Sequence, residues 1–96
     1  MKRNWKEIPA RIISIERKHD KKRGILRIEA VLESRESNEV EEFNVTWIYD
    51  PPTSDVLGKN NVVPECFFWA YEFAREGINV ILYHCQDDDT KYFYYC

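Results

Sequence analysis

At 96 residues the chain has room for one domain, 1–96, and a chain of this size buries only about two-thirds of the surface its unfolded form exposes. A hydrophobic fraction of 44% that includes 3 Trp, 6 Tyr and 5 Phe is enough for one core and excludes a disordered chain. The net charge of −3 conceals an asymmetry, since residues 1–27 carry ten Lys or Arg against three acids and residues 28–96 carry four against fourteen, which opposes general affinity for a polyanion over most of the chain.

Pro9 to Arg17 is rich in β-branched residues (Ile12, Ile13, Ile15), and Ile25 to Glu33 alternates with Leu26, Ile28, Ala30 and Leu32 on one side, so two antiparallel strands are predicted. Lys18 to Gly24 between them is charged and too long for a two-residue hairpin, and is predicted to project as a loop. Ser34 to Glu39 is a polar turn. Val40 to Tyr49 is the third strand, with Phe43, Val45, Trp47 and Tyr49 sharing one face. Asp50-Pro51-Pro52 ends it, because neither proline can donate to a ladder, and a loop runs on through Gly58 to Asn61.

From Val62 to Glu76 the spacing predicts a helix, with Asn61 as its cap, Pro64 in its first turn and Gly77 at its end. At 100° per residue Cys66, Phe67, Ala70, Phe73 and Ala74 form a buried stripe, and Glu65, Glu72, Arg75 and Glu76 form the opposite face. Phe68 falls among those charges, while Trp69 and Tyr71 lie on the borders of the stripe. Ile78 to Cys85 then reads as a strand, Gln86 to Asp89 as a turn and Thr90 to Cys96 as an aromatic last strand.

The expected class is mainly β (α+β) in β-β-β-α-β-β order. That is the order of elements in an OB-type five-stranded small barrel, and a curled antiparallel sheet packed on one helix accounts for the same string. The resemblance is to the order alone, with no family motif.

The chain has no C-x-x-C, no H-E-x-x-H, no G-x-S-x-G and no glycine-rich phosphate loop, and three glycines in all are few for such a loop. Cys66, Cys85 and Cys96 are an odd number without close pairing, the pattern of reduced thiols in a cytoplasmic protein, and no apolar run approaches the length of a membrane span. His84 and Cys85 are adjacent on a strand and point to opposite faces, which is a poor start for a metal site with Cys66 and Cys96. Asp87-Asp88-Asp89 lacks the ligand spacing of a calcium loop. A non-enzymatic protein without cofactor or metal is expected.

Two binding functions follow from what remains. The first is a protein-interaction module, an inhibitor or adaptor, whose aromatic anchors Phe68 and Trp69 sit beside Glu65 and Glu72, with Glu36, Glu39, Glu41 and Glu42 as a second acidic cluster. The alternative is a nucleic-acid module gripping through Arg17, Lys18, Lys21, Lys22 and Arg23. A small-ligand pocket lined by Trp47, Tyr49, Tyr92 and Tyr94 is weaker than the reading in which those rings fill the core. The protein-interaction reading ranks first because of the acidic balance.

Overall fold

The computed structural model describes residues 4–36, 40–50 and 64–95. Strands β1 (Trp5–Asp20), β2 (Ile25–Ser34) and β3 (Glu42–Tyr49) precede the helix α1 (Pro64–Phe73), and β4 (Asn79–Cys85) and β5 (Lys91–Tyr95) follow it. The expected mainly β class and element order therefore hold. All five strands form one antiparallel sheet in the order β3-β2-β1-β4-β5.

β1 is longer than the predicted Pro9–Arg17 because it has two partners in succession. Residues Trp5 to Arg11 pair with β4, and Ala10 to Asp20 pair with β2. Pro9 sits where its missing donor does least harm: its carbonyl accepts from Arg35 N at 2.8 Å, just past the end of the β2 ladder. The exchange of partners is marked by a β-bulge, since Ile12 faces Leu32 while Ser14 faces Val31, leaving Ile13 as the extra residue. The extra residue also moves the inward positions from even to odd. Ile8, Ala10 and Ile12 are buried before it, whereas after it Ile15 and Arg17 turn inward and Ile13 and Ser14 are exposed.

The hairpin joining β1 to β2 is tighter than the predicted Lys18–Gly24 loop. Lys18, His19 and Asp20 pair with Arg27, Leu26 and Ile25, so the turn is only Lys21 to Gly24. Asp20 Oδ1 accepts from the backbone N–H of Lys22 and Arg23, and Gly24 supplies the left-handed φ of 71° that closes the turn.

The alternation read in β2 and β3 matches the observed faces: Ile28, Ala30, Leu32, Val45 and Trp47 are all buried, joined from β4 and β5 by Val80, Leu82 and Phe93. The sheet curls until its edges approach one another across this core. Trp47 of β3 meets Phe93 of β5 edge to face at 5.6 Å and Tyr92 at 5.4 Å. α1 packs against both edges, Phe67 meeting Trp47 at 5.2 Å and Trp69 meeting Tyr94 at 5.3 Å. The helix thus lies over the seam between β3 and β5.

The predicted helix Val62–Glu76 is too long at its C-terminal end, where it stops at Phe73. Its first positions, with Asn61 and the loop through 50–61, lie outside the described residues apart from Asp50. The buried stripe is also narrower than predicted. Phe67, Ala70 and Ala74 are fully buried, but Cys66 is half-buried and Phe73 is 64% exposed. A helix laid over a seam between two edge strands inserts a narrow row of side chains and leaves both flanks at the surface.

Candidate functional site

The outer arc of α1 carries Glu65, Phe68, Trp69, Glu72 and Phe73, which helical spacing places on one side of the axis, opposite Phe67, Ala70 and Ala74. On the flank toward β3, Phe68 is 41% exposed and rests its ring on Tyr49 at 5.0 Å and on Phe67 at 5.9 Å. On the flank toward β5, Trp69 packs against Tyr94 and Tyr95, each at 5.3 Å, and those two tyrosines lie 4.3 Å from one another. Phe73 stands one turn beyond Trp69, and Tyr95 keeps 53% of its surface exposed. Phe68, Phe73 and Tyr95 are three of the large apolar residues the described chain leaves open to solvent, and all three are on or beside α1.

Glu65 and Glu72 project between these flanks, and among the described residues neither has an ion-pair partner within 4 Å. Several acids outside α1 are paired: Glu33 with Arg11 at 3.0 Å, Glu29 with Lys18 at 3.3 Å and Arg27 at 2.8 Å, and Asp89 with Lys91 at 3.1 Å. Burial and the neighbouring Glu65 both raise the Cys66 thiol above its ordinary pKa, and a hydrogen bond with Tyr95, followed by burial, raises the Tyr94 phenol. Cys66 is therefore held as a thiol beside the face and is not primed as a nucleophile.

The C-terminal end of α1 is tied down from the sheet. Arg17, turned inward by the bulge, donates from Nε to the carbonyl of Tyr71 and from Nη2 to the carbonyl of Ala74, while Arg75 Nη1 donates to the same Ala74 oxygen at 2.8 Å. These are the carbonyls a helix end leaves without partners, and cations complement the negative end of its dipole. Burial, and then Arg75, lower the Arg17 pKa. Gly77, at φ 87°, donates to the Ile12 carbonyl at 2.7 Å and so starts the chain back into β4.

The remaining candidate residues are scattered. Glu41 and Glu42 are exposed at the start of β3, and Tyr49, which touches α1, is at its other end, seven residues or about 20 Å along the strand. They do not join the helix acids in one site, and Glu39 lies outside the described residues. Of the basic set, Arg17 is occupied by the helix and Lys18 by Glu29, leaving Lys21, Lys22 and Arg23 exposed at the turn. Trp47 is buried and surrounded by Phe67, Tyr92 and Phe93, its Nε1 without a hydrogen-bond partner among the described residues, while Tyr49 lies against Phe67 and Phe68. Clefts of about 360 and about 340 Å³ open elsewhere, on the outer side of the sheet, where both are lined by Asn44 and Thr46.

At the turn between β4 and β5, Asp89 takes a left-handed φ of 60° and bridges His84 Nε2 at 2.7 Å and Lys91 Nζ at 3.1 Å. The hydrogen bonds from His84 and then Lys91 hold its carboxyl below the ordinary carboxylate range. Among the described residues no three His, Cys, Asp or Glu side chains converge as metal ligands, and no helix is long and apolar enough to cross a membrane.

Sequence reasoning names Phe68, Trp69, Glu65 and Glu72, which the structure places on one arc of α1, and leaves out Phe73, Tyr94 and Tyr95, which lie on or beside the same face. Helical spacing alone puts Phe73 in the core stripe, and the meeting of Tyr94 and Tyr95 with Trp69 is a long-range contact without a local signal. No protein-family model, no curated protein and no solved structure matches this chain.

Proposed function

We propose that this chain is a non-enzymatic protein-interaction module, an inhibitor or adaptor, that docks another protein on the acidic and aromatic face of α1 and β5. One observation carries the reading: Phe73 and Tyr95 are more than half exposed beside Trp69, on a helix whose own core row is already filled by Phe67, Ala70 and Ala74. Such rings stabilise nothing within the described chain in proportion to their size, whereas aromatic anchors with a polar rim are what concentrates binding energy at protein interfaces. The face is also preorganised, because the two cations at its base, Arg17 and Arg75, fix the end of the helix.

The alternative, a nucleic-acid module, draws on the exposed tip Lys21-Lys22-Arg23. In an OB-type barrel the first hairpin loop works with the loop between the fourth and fifth strands. Here that second loop is Gln86-Asp87-Asp88-Asp89, and the outer side of β2 presents Glu29 and Glu33 with cations already paired to them. A polyanion laid from the tip along β2 and β3 would meet these carboxylates, so the protein reading has the stronger support.

Affinity capture from an extract of the source cells tests this, with the wild type beside the variant Glu65→Gln, Glu72→Gln, Phe73→Ser, each with untreated and with nuclease-treated extract. One protein retained in stoichiometric amount by the wild type, resistant to nuclease and lost by the variant, is the expected result. Nuclease-sensitive retention, or retention unaffected by the variant, would overturn it.

A further inference from the structure

Resting on the docking face just described, we propose that what it receives is an arginine-bearing segment of the partner, with guanidinium groups lying on the rings of Trp69, Phe73 and Phe68 while pairing with Glu65 and Glu72. The argument is one of complementarity. Glu65 lies one turn before Phe68 and Trp69, at spacings of three and four residues, and Glu72 lies one turn after the same two rings. Each carboxylate of α1 is therefore flanked by aromatic surface, and each lacks an ion-pair partner among the described residues.

A ring beside an unpaired carboxylate is a site for a group that is cationic and flat at once. Guanidinium meets both requirements: it stacks on an aromatic face and donates two parallel N–H bonds to a carboxylate. A lysine ammonium is a compact, strongly hydrated point charge that forms the ion pair but gains less from the ring. An uncharged apolar segment would cover the rings but strip water from Glu65 and Glu72 without adding a paired cation, Glu72 having only the more distant charge of Arg17. An acidic or phosphorylated segment would be repelled.

Among the described residues, the cations at the end of α1 already have work within the fold: Arg17 holds the carbonyls of Tyr71 and Ala74, and Arg75 holds that of Ala74. The chain's own basic tip, Lys21-Lys22-Arg23, carries a single arginine. A second copy is therefore a poorer occupant than an arginine-rich partner.

The test uses the full chain and three fluorescently labelled twelve-residue peptides of one Gly/Ser sequence, bearing four arginines, four lysines or four glutamates, read by anisotropy at near-physiological salt. The arginine peptide should bind on the order of tenfold more tightly than the lysine peptide, and the glutamate peptide should not bind. Glu65→Gln with Glu72→Gln, and separately Phe73→Ser, should each weaken the arginine peptide at least severalfold with the melting temperature unchanged. Equal binding of the arginine and lysine peptides, no binding of either, or arginine binding indifferent to these variants would overturn the inference. If capture of a protein partner still depended on the same face, the docking function would stand and only its arginine chemistry would fall. Concentration-dependent self-association abolished by Lys21→Ala, Lys22→Ala, Arg23→Ala would assign the face to a second copy and also overturn the inference.

Discussion

Replacing Phe67 and Phe73 by alanine separates the row that α1 buries from the flank it exposes. Phe67 is fully buried, with the rings of Trp47, Tyr49, Phe68 and Tyr71 at 5.2, 5.7, 5.9 and 6.0 Å. Its truncation removes the transfer energy of a benzyl group and opens a cavity under the helix, a loss of about 3–5 kcal/mol. In a domain of this length each kcal/mol is worth roughly 4–8 °C, so the midpoint should fall by at least about 12 °C. Phe73 keeps 64% of its surface in solvent, and alanine is the better helix former, so Phe73→Ala should stay within about 0.5 kcal/mol of wild type. Thermal and urea unfolding followed by circular dichroism reads both, and Phe67→Leu, a smaller truncation with a smaller loss, keeps the comparison open if Phe67→Ala does not fold. A Phe73→Ala loss as large as that of Phe67→Ala would place Phe73 in the core and remove the exposed face.

Arg17→Ala should destabilise the protein by roughly 1–3 kcal/mol, because it strands the Tyr71 carbonyl and leaves that of Ala74 to Arg75 alone, and hydrogen exchange should then show α1 opening before the sheet; uniform loosening of both would contradict the anchoring role. The carboxyl of Asp89 is depressed in the folded state, so its contribution to stability is full above the ordinary carboxylate pKa of about 3.9 and is lost as the pH falls through the lower folded value. Wild type should therefore melt higher than Asp89→Asn at pH 6 and converge with it toward pH 2, and a gap constant over that range would refute the bridge. Cys85 is fully buried and Cys66 has a raised pKa, so both should react slowly with a thiol reagent in the native state, Cys85 more slowly than Cys66; rapid labelling of Cys85 would contradict the packing. Wild type and Lys21→Ala, Lys22→Ala, Arg23→Ala should show the same weak retention of single-stranded oligonucleotide at physiological salt, and tight binding lost in the variant would favour the nucleic-acid reading.

The strands were legible because each has one buried face, and period-2 alternation reports that directly: Phe43, Val45, Trp47 and Tyr49 needed no tertiary information. The bulge at Ile13 was not, because Ile12-Ile13-Ser14-Ile15 reads as an apolar run in which either phase fits, and only the change of partner from β4 to β2 decides which isoleucine is left over. That one residue turns Arg17 inward, which converted a residue read as part of a basic grip into the tether of α1. The helix acids and Phe68 were visible as charges around an aromatic. The width of the buried stripe was not, because Phe73 is as apolar as Phe67 and sequence alone cannot tell a helix on a broad sheet from one lying over a seam.

Photo-crosslinking from single positions tests the docking face most directly. A benzoylphenylalanine placed at Phe73, at Ile48 on the outer side of β3, or at Lys22 on the hairpin tip samples three exposed sites without disturbing the core. Irradiation in extract from the source cells should give one discrete protein adduct from position 73 that is suppressed by Glu65→Gln with Glu72→Gln, and none from positions 48 and 22. An adduct formed only from position 22, or a nucleic-acid adduct from any of the three, would contradict a protein-docking function for the face of α1 and β5.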